Sequence, residues 1–243
     1  MLRSLVEVAE EHGDGRVHPT SRANLQVRAF PGSQGRLSCE ALAALEETGL
    51  LPTRTHELVR NVMVSPQTGL AGGRADLRAV ARELDDRLCA DPDLATLPGR
   101  FLFVLDDGRG DLVARSCDLG LVALGSTRVQ LRIGTEWGAT VPLAKAAERI
   151  AELAHEFVVR RGWGPDAAWH VSELTEPLVV SSRPDPGLPD PAEPLPFGPV
   201  PGGRHVEVPK AGLGRQGIDD LTAAVDDVVV TPWRGVLIPE ERR

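Results

Sequence analysis

Eight prolines fall between residues 183 and 203, in RPDPGLPDPAEPLPFGPVPGG. Proline lacks a backbone N–H and fixes φ, so this stretch makes neither a helix nor an inner strand. It reads as an extended linker between a long segment and a short C-terminal piece. Both pieces show mixed helix and strand patterning. Leu2, Leu5, Val6 and Ala9 share one face of a helix over 1–12, with Gly13 as its C-cap. Strands are predicted over 16–19 and 25–30. Ser38 caps a helix that carries Leu42 and Leu45 and stops at Gly49. A short strand follows at 62–64, and helices are predicted over 75–89 and 142–160. Between those helices, strands are expected at 101–105, 112–116, 119–124 and 129–133, separated by the turns DDGRGD and GSTR. Past the linker come a strand at 206–208, a helix at 216–225, and strands at 228–231 and 235–238.

The C-terminal piece echoes the start of the chain. Near the N-terminus a helix leads to RVHPTSRANLQV; near the C-terminus a helix leads to VVVTPWRGVLI. With Thr20 set on Thr231, Leu25 falls on Val236 and Val27 on Ile238. Two units of helix, strand, tight polar turn and strand suggest an internal duplication. The first copy lacks the leading strand that 206–208 gives the second.

Charge and composition exclude several functions. The net charge is −8, a poor match for nucleic acid or an anionic membrane. Aromatic residues are 4% of the chain and Tyr is absent, which removes a stacking platform for single strands. Of the 27 basic residues only Lys145 and Lys210 are lysines. The rest are arginines, whose planar forks suit carboxylate or phosphate, so a small anionic ligand fits better than a polyanion. Cys39, Cys89 and Cys117 form no CxxC and no zinc spacing, which reads as a reducing cytoplasm. No apolar run approaches the length of a membrane span, and the start lacks a signal-peptide apolar region.

Four clusters carry candidate chemistry. In Thr20–Arg28, the side chains of Arg22, Asn24, Gln26 and Arg28 share one face of an expected strand. That face is either a floor for an anionic ligand or a solvated edge. Arg60 and Asn61 enter a short strand before the glycine-rich GLAGG turn, which is either a ligand approach or an ordinary loop. Arg100 stands just before a buried-looking strand. Arg234 lies in Thr231-Pro-Trp-Arg-Gly235, a tight turn with Trp233 available to plug a core. The six histidines show no paired metal spacing, and no GxSxG is present. Asp106, Asp107 and Asp111 fit a hairpin turn better than a calcium loop.

TSRANLQVR, THELVRNVMVSPQTGL, LPGRFLFVLDDGRGD and VVVTPWRGVLIP follow one another in the order seen in the nitrite/sulfite reductase superfamily. The last two are most similar to its oxygen-dependent cobalamin-pathway branch, the precorrin-3B synthases. The resemblance covers nearly the whole chain. It implies an α/β fold in which two ferredoxin-like half-domains, related by pseudo-symmetry, flank a central α/β domain. The implied divisions are 1–60 for the first half-domain, 61–182 for the α/β domain, 183–203 for the linker and 204–243 for the second half-domain. A tetrapyrrole rich in carboxylates sits between the repeats in that family. Carried over by position, its cationic contacts fall on Arg22, Gln26, Arg28, Arg60, Asn61 and Arg100, with Asn24 and Arg234 completing the expected set. The reductase branch has a second basic residue at the place of Leu102, so siroheme is not expected here.

Precorrin-3B synthases, as the resemblance implies, oxidise precorrin-3A with dioxygen, hydroxylating the macrocycle and closing a lactone. They use an iron–sulfur cluster held by two close cysteine pairs beyond the TPWRG region. This chain has no cysteine there, so it reads as a family member trimmed at both ends. Four readings stay open. The chain is a precorrin-3B synthase-like oxidoreductase of aerobic cobalamin biosynthesis; a non-catalytic tetrapyrrole-binding module; a half-enzyme needing a second chain that carries the cluster cysteines; or a sulfite/nitrite reductase-like protein. The expected partner is a tetrapyrrole, with no nucleic acid and no membrane.

Overall fold

Apolar spacing becomes helix faces in the computed structural model, which describes residues 1–33 and 36–240, without the Ser33 side chain. The first part of the chain runs α1 (Leu2–His12), β1 (His18–Pro19), β2 (Leu25–Gln26), β3 (Gly32–Ser33), β4 (Arg36–Leu37) and α2 (Cys39–Glu47). Next come β5 (Val62–Val64), α3 (Arg78–Ala90), β6 (Phe103–Asp106), β7 (Leu119–Ala123), β8 (Arg128–Ile133), β9 (Glu136–Pro142) and α4 (Ala146–Arg160). The chain ends with β10 (Gly198–Val200), β11 (Gly203–Glu207), α5 (Arg215–Leu221), β12 (Val229–Thr231) and β13 (Gly235–Pro239). These elements form two compact units: a central one, Thr55–Pro194, and a terminal one that gathers Met1–Arg54 with Leu195–Arg243.

The central unit is built on a five-stranded sheet in the order β5-β6-β7-β8-β9. The first three strands are parallel, and β8 and β9 continue antiparallel. Every residue of β6 and β7 is buried, as an inner parallel strand requires. Leu84 and Leu88 of α3 and Ile150, Leu153 and Phe157 of α4 join the sheet residues in one core. Phe101 lies 5.2 Å from the Phe103 ring and 4.8 Å from that of Phe157. Such tilted aromatic pairs add roughly 0.5–1.5 kcal/mol each beyond their burial.

Two sequence expectations fail here for one reason. Residues 112–116 are not a strand, and DDGRGD is not a hairpin turn. The strands on either side, β6 and β7, run parallel, so residues 107–118 must cross over rather than turn back. The missed strand β9 has a weak alternation, broken by Gly138. A side chain there would strike Ile133 of the neighbouring β8.

The terminal unit holds an antiparallel sheet, β10-β11-β13-β12. Leu5 and Val6 of α1 and Ile218 and Leu221 of α5 share its core with Val17, Val208, Leu213 and Val236. The duplication appears in the strand register. Pro19 pairs with Leu25 and His18 with Gln26; Val230 pairs with Val236 and Val229 with Leu237. The two hairpins therefore superimpose in register with Thr20 on Thr231. Val17 and Leu213 exchange two backbone hydrogen bonds of 2.8 Å, joining the first copy to the second. This contact and the packing of α1 on α5 supply the partner that an N-terminal core helix needs.

The first copy is shorter in strand than its sequence implies. Only 18–19 of the expected 16–19, and 25–26 of the expected 25–30, are strand. Ala29 takes a φ of 60°, which ends the extended run. Ser38 caps α2 as expected, its Oγ accepting from the Ala41 N–H at 3.2 Å.

The proline-rich stretch is not a free linker. Ser182 N–H donates to Trp137 O at 2.7 Å. The buried Gln130 amide accepts from Asp185 N–H at 2.8 Å and donates to Arg183 O at 2.9 Å. Further on, Arg74 donates to Gly187 O, and Ala192 N–H donates to Gly110 O at 3.0 Å. The stretch is a strap across the central unit as far as residue 194. It then enters the terminal unit as β10, an edge strand, where proline is tolerated.

Candidate functional site

The two hairpin turns carry the first group of candidate residues. In the first, Thr20 Oγ1 accepts from the N–H groups of Arg22 and Asn24 at 3.3 and 3.1 Å, and Thr20 N–H donates to Asn24 O at 2.8 Å. The turn therefore folds on its own threonine. Arg22 and Asn24 share it; Gln26 stands on β2, and Arg28 follows, both exposed. In the second, Thr231 pairs with Gly235 across the turn. Ala23 and Arg234 occupy equivalent places and both are left-handed, with φ of 59° and 56°. A non-glycine residue held there in both copies stores backbone strain that the surrounding turn must offset. Among the described residues, no carboxylate lies within ion-pair distance of Arg22, Arg28 or Arg234.

Arg60, Asn61 and Arg100 lie in the central unit, at the amino ends of β5 and β6. Asn61 Nδ2 donates to Leu58 O at 3.0 Å and Gly99 O at 3.2 Å, and Asn61 O accepts from Phe103 N–H. Asn61 and the segment before Arg100 are thus brought together, and Asn61 is a buried clip. Arg60 is engaged elsewhere. Its Nε and Nη2 grip both carboxylate oxygens of Asp85 on α3, at 2.7 and 2.8 Å. Arg100 is exposed, with no carboxylate partner among the described residues. Leu102 is half-buried, its N–H held by Asp118 at 2.9 Å.

Asp106, Asp107 and Asp111, read from the sequence as a hairpin turn, belong instead to a cluster at the other end of the same strands. Beyond the carboxyl ends of β5 and β6, Asp106, Asp107, Arg109, Asp111, Ser65 and Gln67 form a buried polar network. Asp106 accepts the N–H groups of Gly108, Gly110 and Leu112 at 2.9, 3.0 and 2.9 Å. Asp107 receives Arg109 through Nε at 2.9 Å and Nη2 at 2.6 Å, and Arg109 Nη1 reaches Gln67 at 2.8 Å. Ser65 Oγ donates to Asp111 at 2.7 Å and accepts from Asp107 N–H at 3.1 Å. Burial pushes the Asp111 carboxyl up to about 7; Ser65 and Arg109 oppose this while Asp106 and Asp107 reinforce it. Every buried polar side-chain atom among the described residues has a partner. The network therefore locks the crossover loop. Its signal in the sequence was the pair of glycines spacing three aspartates, which put backbone N–H groups around one carboxylate.

The cysteines do not fit an iron–sulfur cluster. Cys39 is exposed in the terminal unit, and Cys89 and Cys117 belong to the central one. Burial pushes the Cys117 thiol up to about 11, away from the thiolate that binds iron. Among the described residues, three or more ligand groups converge only at Asp106, Asp107 and Asp111 and at Asp91, Asp93 and His155, with no cysteine in either set. The described helices include none long and apolar enough to cross a membrane.

No protein-family model matches the chain, and no curated protein matches it in sequence. Among solved structures it is similar to the NirA protein of Mycobacterium tuberculosis, with a TM-score of 0.68 and 17% identity. The match covers 98% of this chain and 50% of NirA, so the chain spans half of that structure's length. The likeness is one of fold. The protein has a mixed α/β fold similar to that of NirA.

Proposed function

We propose that this chain is the tetrapyrrole-binding part of a precorrin-3B synthase-like oxidoreductase. The observation that carries the reading is the pair of register-matched hairpins, the first with Arg22 and Arg28 and the second with Arg234, none with a carboxylate partner among the described residues. Arg22, Arg28 and Arg234, all in the terminal unit, are the forks available for substrate carboxylates. Guanidinium–carboxylate pairs are directional and charge-assisted, so they orient a macrocycle as well as hold it. Arg60 is not among the available forks, because its guanidinium is closed on Asp85 and fastens α3 at the start of β5. Redox chemistry belongs to a cluster that the residues of this chain do not fit. The reading therefore places that cluster on a second chain or segment.

A sulfite/nitrite reductase-like reading draws equal support from the fold match. Leu102 favours the precorrin branch, because the reductase pattern, by resemblance, needs a cation at that place.

Absorbance titration tests the proposal. Uroporphyrin, with carboxylates around the whole ring, is expected to bind with a micromolar dissociation constant. Protoporphyrin, with few carboxylates, is expected to bind at least about tenfold more weakly. Equal affinity for the two would overturn a carboxylate-reading site.

A further inference from the structure

We infer that His205 is a positioning residue for Arg234, setting the left-handed turn from which that guanidinium reaches its ligand. The inference rests on the reading above, in which Arg234 contacts a carboxylate.

His205 sits on β11 with only 1% of its surface exposed, and both ring nitrogens are engaged. Nδ1 lies 3.0 Å from Leu195 O and 3.2 Å from Pro196 O, acceptors that require a proton on Nδ1. Nε2 then carries a lone pair and accepts from the Thr231 hydroxyl at 2.9 Å. The tautomer is fixed by the backbone on one side and read by the turn on the other.

The ring touches the turn on both sides of Arg234. Its edge meets Trp233, with centroids 6.3 Å apart and planes at 73°. A side chain at Gly235 would overlap its Nε2 atom, so glycine is required there by close approach. Phe197 covers the ring at 4.6 Å. Thr231, Trp233 and Gly235 are therefore braced by one imidazole, while Arg234 between them is exposed at a φ of 56°. An arginine left to itself does not stay in that region. The first hairpin achieves the same conformation at Ala23 with Thr20 folding back on its own backbone. In the second, the Thr231 hydroxyl is turned to His205 instead. The duplicated turns thus use the same threonine in two ways, and the second draws on a side chain from a neighbouring strand.

The test measures uroporphyrin affinity of the full chain in five variants. His205→Ala is expected to weaken binding by about tenfold, the usual scale of one charge-assisted contact. His205→Gln, whose Oε1 can accept from Thr231, is expected to restore it. Thr231→Val is expected to reproduce the loss and covers the case in which His205→Ala fails to fold. Arg234→Ala is expected to lose the same tenfold, and adding His205→Ala to it is expected to cost nothing more. Two results overturn His205 alone: independent, additive losses from His205→Ala and Arg234→Ala, or an unchanged Thr231→Val. An unchanged Arg234→Ala overturns the underlying reading of Arg234, and the proposal with it.

Discussion

Burial sets the charge of Asp111. Its folded pKa of about 7 lies above the ordinary carboxylate value, so the folded chain holds this proton more tightly than the unfolded one. The stabilising contribution is complete below about pH 4 and is lost as pH rises through about 7. Asp111→Asn keeps an acceptor for Ser65 and removes the charge. We expect it to flatten the fall in stability between about pH 4 and 7 and to stabilise the chain at pH 8 by on the order of 2–4 kcal/mol. Urea unfolding across that range measures it, and an unchanged slope would contradict the assignment. Arg60 gives a second prediction at this scale. Its fork is closed on Asp85, so Arg60→Ala should cost about 1–3 kcal/mol of stability while leaving uroporphyrin affinity within about twofold. A large loss of affinity with no change in melting temperature would reverse that assignment. Neither residue's state was legible in the sequence. Asp85 lies on the next helix and Ser65 just past another strand, and no spacing rule joins residues so far apart. The unpaired arginines were legible as candidates because hairpin turns are local.

At the scale of elements, the helices were the most readable feature. The apolar rows of α1, α3 and α4 are each long enough to fix a face. Strands of two or three residues are not, which is why 25–30 was read too long; 112–116 was read as strand because its sequence does not show that β6 and β7 run parallel. The duplication was legible from Thr20 and Thr231 together, since a shared turn keeps its spacing even where strands shorten. The strap was not. Proline content excludes helix but says nothing about anchoring by Gln130, Arg74 and Gly110. The strap carries its own prediction. Gly110 has a φ of 87°, and a side chain there would meet the Asp190 carbonyl. Gly110→Ala should therefore destabilise the central unit by about 1–3 kcal/mol. It should also speed proteolysis within 183–194. Unchanged cleavage would mean that the strap is held without this contact.

For the whole molecule, the fold class was legible because four motifs in order span both units, and the likeness to NirA agrees with it. The gathering of the two ends into one unit followed only from tertiary contact, through Val17 and Leu213 and through α1 on α5. It gives the two arginine-bearing hairpins a shared core, and the proposed function rests on those arginines. The most direct measurement is a uroporphyrin titration of the wild-type chain beside the Arg22→Ala/Arg28→Ala double variant, with circular dichroism to confirm folding. The account predicts micromolar binding by the wild type and a loss of about ten- to hundredfold in the variant. Equal affinities in the two folded proteins would contradict it.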